Sequence, residues 1–407
     1  MKAHQDTQTI TRYADMFAAM GAEPRCAAAN ALGGKWRQNM RTKVVHSVAV
    51  SMLSAMLAVF LGSLQTGCSF STRRTPENKI PAGTVALTGA GSTFDSILFK
   101  SWFSIYQHNN PNAYITYDVV GSGEGVRRFI GKNVKEEDKI DFGASDAAMR
   151  DEEIALVDQG VLMVPITSGG VVLAYNLPGF EGDLKLYRRA YAGIFLGEIT
   201  NWNDKLIAES NPGVKLPNLT ITTVVRQDGS GTTYAFTKHL DSISDIWHAR
   251  YGAETLVAWP GMAMRAPGNE GVAGRIQQSI GSIGYVEYGF AQELQLKTAI
   301  LENKEGKFVR ATGLTIIAAL AGAQLPSNLR AFVPDPSGPD SYPIVTYSWI
   351  LLRKSYPDAA KAKLIHDLFS WCLQDGQRYA PVVGYVPLPA TVVVKGLAAL
   401  ETVTSGQ

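Results

Sequence analysis

Val85-Ala-Leu-Thr-Gly-Ala-Gly-Ser-Thr-Phe94 reads as a short apolar strand running into a glycine turn. After it, Phe94, Ile97, Leu98, Trp102, Ile105 and Tyr106 recur at helical spacing, so the turn hands a strand over to a helix. Further stretches share this build: Gly121-Ser-Gly-Glu-Gly125, Phe142-Gly-Ala-Ser-Asp146 and Arg226-Gln-Asp-Gly-Ser-Gly-Thr232. The runs Tyr114 to Val120, Ile140 to Phe142 and Leu219 to Val225 supply their strands; Val126, Phe129 and Ile130, and then Thr232 to Leu240, continue as helices. Such alternation predicts an α/β architecture with ligands at the carboxyl ends of the strands.

The first residues of a helix leave N–H groups unpaired, and the helix dipole makes that end partly positive. Small residues let an anion approach those groups. Four such junctions, with Arg226 and the aspartates Asp146 and Asp228 among them, point to a closed site for a small tetrahedral anion. Each piece taken singly has a plainer reading. Asp146 could cap the acidic helix around Asp151 to Leu156, Arg226 and Asp228 could form a surface pair, and Phe94, Trp102 and Tyr106 could simply fill the core.

The 407 residues, 46% hydrophobic and 18% charged, are ordinary for a soluble chain with room for two domains. Residues 1–67 hold seven of the 38 Lys and Arg and three of the 36 Asp and Glu, leaving 31 against 33, or −2, for the remainder. A slightly acidic body gives no reason to expect nucleic acid. Any anion is therefore captured by local geometry.

Arg41 and Lys43 precede an apolar run from Val44 to Leu64 that ends at Leu64-Gln-Thr-Gly-Cys68. Basic, then apolar, then small residues make an export pattern. It also resembles a bacterial lipoprotein signal, in which Cys68 would be lipidated, although Gln65 stands where that pattern prefers Leu. An uncleaved anchor stays open beside it, because the run is nearly long enough to span a bilayer. Met40 is an alternative start, and Phe70 to Gly83 reads as a polar tether. If Cys68 is lipidated in a processed chain, Cys372 is left with no partner for a disulfide; Phe369-Ser-Trp-Cys-Leu373 reads as a buried helix.

In this order the pieces resemble the phosphate-binding protein of the high-affinity, Pst-type phosphate ABC transporter. The resemblance runs from about Leu87 to Pro389. It is carried by Leu87 to Phe94, Asp141 to Asp146, Ile194-Phe-Leu-Gly197 with Ile199 and Trp202, and Arg226 to Thr232. Gly268-Asn-Glu-Gly-Val272, Gly281 to Glu287, Tyr342-Pro-Ile344 and Tyr385-Val-Pro-Leu-Pro389 continue it. It implies a type II periplasmic binding fold, α/β, with mixed sheets flanked by helices in two lobes joined by a hinge. After the extension and export segment 1–67 and the tether 68–83, the implied lobes are 84–172 with 292–407, and 173–291. Gly169 to Tyr175 is a candidate first crossing strand and Val286 to Phe290 a candidate return.

The resemblance places phosphate ligands at Thr93, Phe94, Ser122, Asp146, Arg226, Ser230, Gly231 and Thr232, with Asp228 bracing Arg226. Arg226 is the one cation of the set, and its planar fork can hold two anion oxygens. Asp146 would select by accepting the proton that phosphate carries near neutral pH and sulfate lacks. The implied role is capture of inorganic phosphate outside the cytoplasm by a periplasmic or surface-held monomer, with delivery to an ABC permease and no cofactor or metal. The chain departs from the pattern at Glu124, beside the second junction, and at Asp95, where the family often has Pro after the Phe. Asp95 there reads as ordinary acidic first-turn chemistry.

Other classes have less support. A phosphate-ester hydrolase with Ser230 or Asp146 as nucleophile would need a base or metal site; Ser230 lacks the nucleophile-elbow spacing, and the histidines after Cys68 lack ligand spacing. The same module could instead serve a phosphate sensor or scavenger without a transporter. A receptor for sulfate or molybdate should avoid a carboxylate like Asp146.

Overall fold

The computed structural model describes residues 83–406 apart from Met262; Cys68, the apolar run 44–64 and the alternative start Met40 lie outside the described residues. Among the described residues no helix is long and apolar enough to cross a membrane.

The strands are β1 (Val85–Gly91), β2 (Ala113–Val119), β3 (Phe142–Ser145), β4 (Val161–Tyr175), β5 (Lys185–Leu186) and β6 (Thr222–Arg226). They continue as β7 (Met264–Ala266), β8 (Ser282–Glu287), β9 (Lys297–Thr298), β10 (Ile300–Glu302), β11 (Phe308–Val309) and β12 (Val345–Arg353). One path of hydrogen-bonded neighbours runs β2-β1-β3-β12-β4-β8-β6-β7, with β9 beside β4. β1 is parallel to both β2 and β3, and β6 is parallel to both β7 and β8. β4 is antiparallel to its neighbours and divides its length between them. Val161 to Gly170 pair with β12, and Val171 to Tyr175 pair with β8.

That division follows from composition. β4 is apolar almost throughout and buried from Met163 onward, as a strand covered on both faces requires. The run Gly169 to Tyr175 lies inside it. Val286 to Phe290 is not a continuous strand: β8 ends at Glu287, whose carboxylate accepts from the N–H groups of Gly289 and Phe290 and caps the helix Tyr288–Glu293. After that helix, Lys297 and Thr298 pair with Tyr175 and Ala174, and Leu301 pairs with Leu186.

Two aromatic cores flank this path. The helix Ser96–Asn109 buries Leu98, Phe99, Trp102, Phe103 and Tyr106, and the Trp102 indole donates to the Gly376 carbonyl at 2.7 Å. Phe94 is wholly buried as well. On the other half Phe195, Phe236, Trp247, Trp259 and Tyr285 pack together. Burying each such ring contributes on the order of 2–3 kcal/mol, so the ends of the parallel strands rest on stiff supports. Cys372 is buried in the helix Ala359–Leu373. The short acidic helix Asp151–Ile154 is not capped by Asp146; its leading N–H, from Arg150, is held by the Glu153 carboxylate at 2.8 Å.

Candidate functional site

The carboxyl ends of β1, β2 and β3 face those of β6, β7 and β8, and the turns that leave them meet. The Gly123 N–H donates to the Gly229 carbonyl at 2.9 Å. A side chain at Gly121 would overlap the Asp228 carboxylate, and its φ of 92° already favours glycine. A Cβ on Gly231 would stand 2.6 Å from Asp146 Oδ2. These glycines let two backbones close on two carboxylates.

Asp146 leaves the end of β3 and is 1% exposed. Its Oδ1 accepts from the hydroxyls of Ser92 and, at 3.3 Å, Ser348; its Oδ2 accepts from Thr232 at 3.2 Å. Its own N–H donates to Ser122 Oγ at 3.4 Å. Burial pushes its carboxyl up to about 6, against the pull of those hydroxyls and of Arg226. Asp146 is thus a carboxylate ionised at neutral pH yet ready to share a proton.

Arg226 ends β6 and is 2% exposed. Its Nε donates to Asp228 Oδ1 at 2.9 Å, its Nη2 to Asp228 Oδ2, and its Nη1 to Thr232 Oγ1 at 3.4 Å. Asp228 also accepts from the Gly268 N–H at 3.0 Å. Burial works to raise the Asp228 carboxyl, but the hydrogen bonds and charge of Arg226 prevail and hold it below its ordinary value. Asp228 thus meets the Arg226 guanidinium at two points.

Ser230 caps the helix Gly231–Ile243 by accepting from the Thr233 N–H at 3.1 Å. Gly231 and Thr232 occupy the first helical positions, whose N–H groups lack intrahelical acceptors. Thr93 Oγ1 accepts from the Asn269 backbone N–H at 3.1 Å and from its side-chain amide at 3.0 Å. The Phe94 N–H is turned to Ser92 Oγ at 2.9 Å. All eight expected ligand positions are buried and share one region. Hydrogen bonds join Thr93, Asn269, Thr232, Arg226, Asp146 and Ser122 into one network.

Glu124 points away from it. Its carboxylate takes two bonds of 2.7 Å from Arg127 and one of 2.9 Å from Arg128. The Arg127 hydrogen bonds, joined by the hydrogen bond and charge of Arg128, hold it down at about 2 against the opposing effect of burial.

Several residues of the site were given no role from sequence. Asn269 ties Thr93 to Thr232 and accepts from the Glu287 N–H at 3.0 Å. It lies inside a quoted motif, Gly268 to Val272, which was the available signal. Ser92 and Glu287 likewise lie inside Leu87 to Phe94 and Gly281 to Glu287, whereas Ser348 lies in no such motif. Burial, with Asp146 adding, pushes the Glu287 carboxyl up to about 8, against the donors Gly289 and Phe290.

The opposed strand ends, with a buried network of acid, guanidinium and hydroxyls between them, are the arrangement of a two-lobe ligand-binding protein of the type II periplasmic kind. The pattern of a PBP superfamily domain matches residues 78–375. The phosphate-binding protein PstS of Pasteurella multocida (strain Pm70) is 38% identical over 78% of this chain and 90% of its own length. The protein of that name from Xylella fastidiosa (strain Temecula1) is 37% identical over 86% of this chain and 96% of its own. A high-affinity periplasmic phosphate-binding protein, PfluDING, solved bound with phosphate, superposes with a TM-score of 0.65 at 20% identity, over 77% of this chain and 93% of its own. The chain belongs to the PBP superfamily and, within it, to the family of the phosphate-binding proteins PstS.

Proposed function

We propose that this protein binds inorganic phosphate outside the cytoplasm and hands it to an ABC permease, without turning it over. The observation that carries this reading is Asp146. It is a buried carboxylate held by three hydroxyls, in one network with a single braced guanidinium. A buried carboxylate and an oxyanion repel unless a proton lies between them. An anion that brings its own proton supplies it, and sulfate does not.

In this reading Thr93, Ser122 and Ser230 donate hydroxyls, Gly231 donates its N–H and Arg226 adds charge, while Thr232 shapes the site through the proton it gives Asp146 and the Phe94 N–H is shared with Ser92 Oγ. The Ser230 hydroxyl accepts only from its own helix, which favours a ligand over a nucleophile. Residues 84–172 with 292–407, and 173–291, form the two lobes. The pairing of β9 with β4 and of β10 with β5 supports carrying the second lobe on to Glu302. Contacts such as Gly123 with Gly229 exist only when the lobes are shut, so an anion that bridges them shifts the population toward closure. The protein acts as a monomer, tethered through a lipid on Cys68.

Calorimetry of the purified protein with phosphate, sulfate and molybdate tests the reading. Tight phosphate binding with sulfate weaker by at least about two orders of magnitude is expected. Equal affinity for sulfate refutes it, and phosphate-ester turnover lost in Ser230→Ala would favour a hydrolase.

A further inference from the structure

Asp95 precedes the helix Ser96–Asn109 at the position where an aspartate ordinarily accepts from the first-turn N–H groups, yet it makes no such bond. Its side chain is wholly buried. Oδ2 lies 2.6 Å from Ser348 Oγ, and Oδ1 has no partner. The first-turn role expected from the sequence is therefore not what this carboxylate does.

The Ser348 hydroxyl stands between two acids, with Asp146 Oδ1 on its other side at 3.3 Å. It has one proton and can serve one of them. Among the described residues no cation is hydrogen-bonded to Asp95. The titratable groups that act on it or feel it are Asp146 after β3, Glu287 at the end of β8, Tyr117 on β2, and Tyr385. All of these are acids, so an ionised Asp95 would sit beside the Asp146 carboxylate with no opposite charge among the groups that act on it. Burial first, then the charge of Asp146, raises its carboxyl well above the usual range. The resulting proton has one acceptor within reach. On Oδ1 it would be stranded, whereas on Oδ2 it donates to Ser348.

We infer that Asp95 is a positioning residue for anion capture: as a neutral acid it donates to Ser348, and so commits the Ser348 proton to Asp146. Asp146 then keeps three hydroxyl donors and remains the ionised acceptor that a protonated anion needs. When Asp95 loses its proton, Ser348 turns back to it, and Asp146 loses a donor and gains a like charge. Capture weakens at alkaline pH for a reason that lies in the protein.

This inference rests on the phosphate reading and deepens it, and one experiment separates the two. Calorimetric phosphate affinities are measured from about pH 6 to about pH 10 for the wild type, Asp95→Asn and Ser348→Ala, with thermal melts confirming the fold. An asparagine amide donates to Ser348 without titrating. Asp95→Asn should stay within about threefold of wild type near neutrality and show a smaller alkaline decline, with the part due to Glu287 remaining. Ser348→Ala should bind about tenfold more weakly at neutral pH. Identical pH profiles for wild type and Asp95→Asn overturn the inference while leaving phosphate binding intact. If Asp95→Asn does not fold, wild-type affinity in Ser348→Ala overturns it instead. A wild-type protein that takes up no phosphate ends both.

Discussion

Thr232 donates its hydroxyl to Asp146 at 3.2 Å, although the two residues are 86 positions apart and leave opposed strand ends. The same oxygen accepts from Arg226 Nη1 at 3.4 Å and from the Asn269 amide at 3.1 Å. Acid, cation and the Asn269 tie to Thr93 therefore meet at one hydroxyl. Thr232→Val keeps the shape and removes that junction, leaving Asp146 Oδ2 without its donor. Phosphate affinity should drop about 10- to 100-fold, or about 1.4–2.7 kcal/mol, by calorimetry. An unchanged dissociation constant would show that the contact is incidental.

Asp146→Asn exchanges an acceptor for a group that can donate. A fully ionised oxyanion no longer meets a buried negative charge, so sulfate should gain affinity while phosphate loses it. The phosphate-to-sulfate ratio should fall by at least about two orders of magnitude. Competition titration measures this directly, and a ratio unmoved by the substitution removes Asp146 from selectivity.

Beside Asp95, the acids Asp146 and Glu287 shape the pH response. Burial holds them up at about 6 and about 8. A group whose folded value is raised stabilises the fold below its unfolded value, near about 4, and loses that contribution as pH rises through the folded value. The ligand-free protein should accordingly melt at progressively lower temperature from about pH 5 to about pH 8.5, while phosphate restores stability by mass action. Discrimination runs the other way. Below about 6 Asp146 carries its own proton and can donate it, so sulfate binding should strengthen on acidification. A melting temperature that rises across this interval without ligand would contradict the assignment.

Much of this was legible in the chain because glycine turns and hydroxyls are local signals. Leu87 to Phe94 announces a strand, a turn and a helix, and Arg226 to Thr232 does the same with its own brace two residues away. What sequence could not place were partners brought in by pairing of distant strands. Ser348 reaches Asp146 because β12 lies antiparallel to β3, which sets Trp349 opposite Ser145. Nothing near Ser348 in the chain marks it as polar machinery rather than strand interior. Asp146 was read as a possible helix cap for the same reason: the acidic run that follows supplied a local explanation, and only the fold shows the hydroxyls converging from elsewhere. Val286 to Phe290, the candidate return crossing, is not one strand, because Glu287 caps and starts a helix within it.

Arg226 shows how far the site depends on geometry rather than charge. Three of its five N–H groups are engaged, through Nε and Nη2 on Asp228 and Nη1 on Thr232, which leaves two for an anion. Lysine keeps the positive charge but carries it on one freely rotating point, and cannot grip Asp228 at two places while presenting donors in a fixed plane. Asp228 would then be released from a position that the Gly268 N–H and the absence of a side chain at Gly121 hold close to the lobe boundary. Arg226→Lys should therefore weaken phosphate binding by about 100- to 1,000-fold. If lysine supported phosphate binding within about threefold of wild type, capture would be a matter of net charge, and the fork-and-brace arrangement would not be its cause.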